Sequence, residues 1–232
     1  MTVADAKGRR FDAATGIGFA VLALVAFLLP GTPPKADDPI LSIATYLSDK
    51  RSEILTASLL IGVSAVFFLW FLGSLRSYLR AGEGGEGRLS AAAFGAGVAG
   101  IALLLAGVAL LNGVAFKLAD GRLPDPVITR AVFDASSAVL TMVAFAFAVF
   151  FAAASCSAAR SGALPPWAYW TGSVVAVLQL LGGLALVAKS GFFAVGGAMG
   201  FIAPLAGIAW VVAVSVLIMR REGVPPIART EP

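Results

Sequence analysis

Asp134 lies inside a strongly apolar stretch, with Arg130 four positions before it and Ser137 and Thr141 three and seven positions after it. On a helix these offsets fall on one face, and the four-residue step brings Arg130 and Asp134 within ion-pairing distance. Charge inside a bilayer is costly, so a polar stripe in an apolar segment is a functional candidate and should face other helices rather than lipid. Asn112 and Lys117 end the preceding apolar stretch, and Arg51, Glu53 and Thr56 begin an earlier one at a similar depth. Two kinds of chemistry are open to this set. It could line a shallow outward-facing cavity, built from Asp134, Asn112, Lys117, Arg130, Glu53 and Arg51, that binds a polar headgroup or a cation. It could instead hold helices together, since interhelical hydrogen bonds contribute roughly 0.6–2 kcal/mol each. Gln179, alone near the middle of another apolar stretch, fits the second use, and the balance for Asp134 also leans that way.

Other chemistries are poorly supplied. The chain has no histidine, which removes the commonest general base, metal ligand and haem ligand together. Cys156 is the single cysteine, so no intrachain disulfide and no thiolate zinc cluster can form. No metal site or cofactor is expected. Hydrolysis normally needs a nucleophile and base, paired carboxylates or a metal, and the carboxylates here sit at the ends of apolar runs. The expectation is therefore a protein that is not an enzyme. Gly82, Gly84 and Gly87 in "AGEGGEGRLS" match the spacing of a dinucleotide-binding loop. That loop works only between a strand and a helix, where backbone amides cradle a pyrophosphate. Here an apolar helix precedes it, and Glu83 and Glu86 would repel phosphate, so it reads as a flexible turn.

The elements that must position these residues are membrane helices. Of 232 residues, 59% are apolar and only 13% charged, and the mean hydropathy is +0.92. Soluble domains carry about 25% charged residues, so a chain of this composition needs lipid to cover it. The formal charge of +4 and the pI near 9.6 come from basic residues flanking apolar runs, which indicates membrane orientation and not nucleic-acid binding. Runs of about 20 apolar residues, the length of a spanning helix, occur at roughly 13–30, 54–75, 91–116, 131–155, 167–188 and 194–219. None alternates with period 2, so a membrane barrel is excluded. The expected fold is all-α, one polytopic bundle over 1–232 with six spans. The first run follows "KGRR" like a signal peptide but ends in "LLPGTPP" without a small-residue cleavage pattern, and is read as a retained helix.

Lys7, Arg9, Arg10, Arg76, Arg80, Arg88, Arg160, Arg220, Arg221 and Arg229 would fall on one side of the membrane. On the other, Lys35, Lys50, Arg51, Lys117, Arg122, Arg130 and Lys189 are largely balanced by acidic residues. The positive-inside rule then places both termini in the cytoplasm, with Trp70, Tyr78, Trp167, Tyr169 and Trp170 as an aromatic belt near that face. Between the first two spans, Ile40, Ile43, Ala44 and Leu47 recur at helical spacing after Asp38 and Pro39. This suggests a short amphipathic helix near 39–50, with Asp38 as its N-cap, or a simple lead-in to the second span. "DPILSIATYLSDKRSEIL" is echoed by "DPVITRAVFDASSAVL", which suggests three helical hairpins with the first two duplicated in outline.

Small residues mark close helix contacts. Gly196 and Gly200 form a GxxxG step that Ala203 and Gly207 extend; Gly95, Gly97 and Gly100 begin a similar face, and Gly182 adjoins Gly183. Pro204 should kink the last span. With its Pro-rich exit "LPGTPPKADDP", the helix end "FFLWFLGSLRSYLR" and the turn "GEGGEGRLS", the chain resembles a group of uncharacterised actinobacterial multi-pass membrane proteins. The resemblance implies a bacterial inner-membrane location and carries over no activity and no catalytic residue. Two functional expectations remain. One is a non-enzymatic accessory or assembly protein, with membrane lipids, a membrane-protein partner or further copies of itself as partners. The other is a small carrier or binder of a lipophilic or amphipathic ligand that uses the polar cluster around Asp134.

Overall fold

A computed structural model describes residues 3–35, 38–83, 85–117, 126–188 and 190–221. Among them every regular element is helical: α1 (Val3–Leu28), α2 (Ile40–Asp49), α3 (Arg51–Glu83), α4 (Arg88–Lys117), α5 (Pro126–Ser161), α6 (Pro166–Gly182), a 3-10 turn (Gly183–Leu186) and α7 (Met199–Arg221). Helix is the solution these sequences allow in lipid, because it satisfies each backbone N–H and C=O within the segment. Arg122, Lys189 and Arg229 of the charge count, and Asp37, Asp120 and Asp125 among the acidic residues that balance it, lie outside the described residues.

Five helices are long and apolar enough to cross a membrane: α3, α4, α5, α6 with its 3-10 extension, and α7. The apolar part of α1, Ala14–Leu28, is shorter. At 1.5 Å per residue it provides roughly 22 Å of helix against about 30 Å of hydrocarbon. The long helices run past the expected spans, α3 by several residues at each end, and α5 from Pro126 to Ser161. The last span is the exception. α7 begins only at Met199, because residues 191–198 form consecutive turns with Gly191 and Gly196 at φ of +88° and +76°.

The long helices follow one another around a closed ring: α1 packs on α3, α3 on α4, α4 on α5, α5 on α6, α6 on α7 and α7 back on α1, with α5 also reaching α3. An aromatic column fills the centre. Phe68 of α3 lies 4.6 Å from the Phe19 ring and 5.9 Å from Phe150, Phe150 lies 4.8 Å from Phe151, and Phe151 lies 5.2 Å from Trp210. These edge and tilted contacts suit the ring quadrupole. The Trp210 indole N–H, which could not stay unpaired in hydrocarbon, donates to the Ala168 carbonyl at 2.9 Å.

The short amphipathic helix is present as α2, and it forms a second small core at one end of the bundle. Ile43 and Leu47 are fully buried against Ile54 of α3, Val114 and Ala115 of α4 and Phe133 of α5. Its N-terminus differs from expectation. Pro39 occupies the N-cap position and no side chain caps the helix. The Asp38 carboxylate instead accepts the Lys35 backbone N–H at 2.8 Å and closes the preceding turn.

Candidate functional site

The polar residues singled out from the sequence gather around α2, at the end of the bundle it covers. Arg130 donates from Nε to both carboxylate oxygens of Asp134, at 3.2 and 3.0 Å, and from Nη1 to the Asp38 carbonyl at 3.0 Å. The guanidinium thus pins the entry to α2 against α5. Arg51 donates from Nε to the Ala115 carbonyl at 3.1 Å, satisfying a C-terminal carbonyl of α4 that has no partner within its own helix. Asn112 of α4 pairs with Ser58 of α3 at 2.8 Å, and Ser58 also reaches the Ile54 carbonyl at 2.7 Å. One hydroxyl has one proton, so both contacts are satisfied when Ser58 donates to Ile54 and the Asn112 amide N–H is turned toward Ser58. Glu53 takes Lys50 at 3.2 Å and Ser52 at 3.0 Å on the surface. Tyr46 donates to the Pro30 carbonyl at 3.3 Å, and burial, reinforced by the Glu53 charge, raises its phenol above the usual range. The side chain of Lys117 lies outside the described residues.

These groups bond in separate sets. Among the described residues no hydrogen bond or ion pair joins Asp134 to Asn112, Glu53 or Arg51. Ile43 and Leu47 of α2 pack between α3, α4 and α5 and join them in one apolar cluster. The Arg130–Asp134 stripe does not face the bundle interior either, since the two side chains are 34% and 51% exposed. The face of α5 turned inward is the adjacent one, carrying Thr129, Phe133 and Ser136, and Ser136 donates to the Gly107 carbonyl of α4 at 2.9 Å. A shallow concavity of about 510 Å³ does exist at this end, but it follows α2 itself and is lined by Leu41, Ser42, Thr45, Tyr46, Asp49 and Lys50. No group of three or more carboxylates or cysteines close enough to hold a metal occurs among the described residues.

Gln179 is buried and donates from Nε2 to the Ala203 carbonyl of α7 at 3.1 Å, bonding α6 to α7. The glycines expected at helix contacts divide. Gly207 is pressed by Phe151 and Gln179, and Gly182 lies near Ala203 and Ala144, so both sit at crossings. Gly95 and Gly200 open onto free space. Gly196 is not on a helix: it sits in a turn at positive φ, where an added Cβ would come within 3.2 Å of the Pro33 carbonyl oxygen, so the Gly196–Gly200 step is not a helix face. The GxxxG spacing misled because two glycines four apart also serve a tight turn followed by a helix start.

The opposite end holds a functional-looking group that the sequence reading passed over. Glu83, the last residue of α3, accepts the Leu89 N–H at 2.7 Å on one carboxylate oxygen. Its other oxygen takes the Ser90 N–H at 2.9 Å and the Ser157 hydroxyl at 3.2 Å. One carboxylate therefore occupies the N-terminus of α4 and holds the C-terminal part of α5. Gly85 and Glu86 form a turn, while Gly82 belongs to the end of α3 and Gly84 lies outside the described residues; the anion that the following helix attracts is internal. The signal was an acidic residue before a glycine run leading into a helix with no acidic residue in its own first turn. Nearby, Tyr78 donates to the Ala163 carbonyl at 2.8 Å and ties α3 to the connection between α5 and α6.

No family model, curated protein or solved structure matches the chain.

Proposed function

We propose that the chain is an integral protein of a bacterial cytoplasmic membrane that acts as a non-enzymatic accessory or assembly component. In this reading α1 is the sixth span, completed by residues preceding Ala14. The helices pair as three hairpins, α1 with α3, α4 with α5 and α6 with α7, and both termini are cytoplasmic. The sum of exposed arginines and tryptophans at the end bearing the α3–α4 turn supports that orientation. The observation that carries the functional reading is the use made of the polar residues at the α2 end. Arg51, Asn112 and Arg130 each bond to backbone or side chains of a neighbouring helix or linker, and at the same end Ile43 and Leu47 of α2 join α3, α4 and α5 in one apolar cluster. Groups arranged in this way stiffen a fold.

A second reading, a carrier or binder of an amphipathic ligand, is favoured by the half-exposed Arg130–Asp134 pair and the concavity along α2. The two readings separate in one experiment. The protein is extracted gently with its own lipids, and the mass of the intact complex is measured. Accessory function predicts defined complexes with a protein partner or further copies. A stoichiometric small amphiphile released by Asp134→Asn supports the carrier.

A further inference from the structure

Arg76 and Arg80 stand one helical turn apart on α3, at the end of the bundle that carries the α3–α4 turn. The head of one and the stem of the other lie against α4 or the turn before it. The Arg76 guanidinium lies over the Phe94 ring, 5.2 Å from its centroid. The stem of Arg80 runs against Gly87, where an added Cβ would come within 3.3 Å of it. Among the described residues neither guanidinium enters an ion pair, and the carboxylates closest in sequence are already engaged. Glu83 holds the amides of α4, and Glu86 pairs with Arg88. Two cations without an ion-pair partner among the described residues present a site that an external anion would match.

The surface beneath them is apolar and notched. Leu69 and Gly73 lie seven residues before Arg76 and Arg80, two turns further into the apolar part of α3 on the same face. Leu69 is exposed, and nothing lies within 4 Å of a Cβ built on Gly73. From these juxtaposed features we infer that this exposed face of α3 binds an anionic phospholipid, its phosphate between Arg76 and Arg80 and an acyl chain along Leu69 and Gly73. Arginine stems of this kind keep the charge at headgroup level while covering apolar surface. Paired arginines at headgroup level match acidic headgroups, whereas zwitterionic lipids offset the attraction with their own cation.

The test uses the full chain in detergent, titrated with phosphatidylglycerol, phosphatidylcholine or inorganic phosphate and read by native mass spectrometry. Phosphatidylglycerol is expected to be retained at least tenfold better than phosphatidylcholine, and inorganic phosphate not to bind. Each arginine near the surface accounts for about fivefold in affinity. Arg76→Gln with Arg80→Gln should therefore weaken phosphatidylglycerol binding roughly thirtyfold. Arg160→Gln, an exposed arginine at the end of α5, should leave it unchanged. Arg76→Lys with Arg80→Lys keeps both charges and should retain the preference, which separates lost binding from lost folding. Equal retention of the two lipids by the unmodified chain overturns the inference. So does an equal loss with Arg160→Gln, which would indicate diffuse surface charge, or binding of inorganic phosphate without a preference between lipids.

Discussion

Replacing Glu83 by alanine should loosen three helix ends at once. The carboxylate accepts two backbone N–H groups of α4 and the Ser157 hydroxyl, at 2.7, 2.9 and 3.2 Å. Loss of a helix N-cap costs about 0.5–2 kcal/mol, and loss of the interhelical serine bond about 0.6 kcal/mol or more. The site is half-exposed, so water takes over part of the work, and the sum is about 1–2.5 kcal/mol. For a chain of this size that corresponds to a fall in Tm of roughly 2–10 °C. The assay is thermal unfolding in detergent, combined with hydrogen exchange at residues 85–92. Glu83→Ala should raise exchange at Leu89 and Ser90 while the α2 end stays protected. Glu83→Gln should fall between, because an amide has one acceptor oxygen and places a donor where the second N–H points. Glu86→Ala is the control, since its partner Arg88 is 84% exposed, and Tm should hold. Unchanged exchange at Leu89 and Ser90 in Glu83→Ala, with an unchanged Tm, would refute the assignment of Glu83 as the cap of α4.

Gly196→Ala should destabilise by about 1–2 kcal/mol, the cost of a non-glycine residue at positive φ, whereas Gly200→Ala, with free space around it, should be neutral or stabilising by less than about 1 kcal/mol; unfolding in detergent compares the two. Equal losses would mean that both glycines share a packed helix face. Asp134→Asn should change stability by no more than about 0.5 kcal/mol, as for exposed helix pairs four residues apart, and a Tm drop of 5 °C or more would show a buried role for the pair. Gln179→Leu should cost about 0.6–2 kcal/mol through the lost bond to the Ala203 carbonyl, read as a lower Tm; a gain in stability would show that packing outweighs that bond.

The helical fold and most of its elements were legible because lipid imposes a simple rule on sequence, namely long apolar runs bounded by charge or proline. The amphipathic helix over 40–49 was legible for a related reason: Ile43 and Leu47 repeat at helical spacing and both became core. Depth and rotation were not. Arg130 and Asp134 were rightly paired, but placing their stripe inward required knowing which face of α5 the small residues of α4 would meet. Gly107 of α4 meets Leu140, and Ser136 reaches the Gly107 carbonyl, so the neighbouring face turned in. Nor could spacing reveal that α2 would join α3, α4 and α5 through Ile43 and Leu47. Gly196 shows the limit of a motif, since GxxxG encodes close approach only where both glycines are helical. Glu83 was weighed only as a charge that repels phosphate. Its role follows from the reversal of the chain between α3 and α4, which returns the end of one helix to the start of the next.

The central claim is that the polar residues around α2 hold the fold together and do not hold a ligand. Native mass spectrometry of the protein extracted with its own lipids tests this most directly, with Asp134→Asn and Asn112→Ala measured beside the unmodified chain. The account predicts the same bound species in all three, any retained anionic lipid depending on Arg76 and Arg80 instead. A discrete adduct that disappears with Asp134→Asn or Asn112→Ala while Tm is unchanged would contradict it and assign the α2 end to ligand binding.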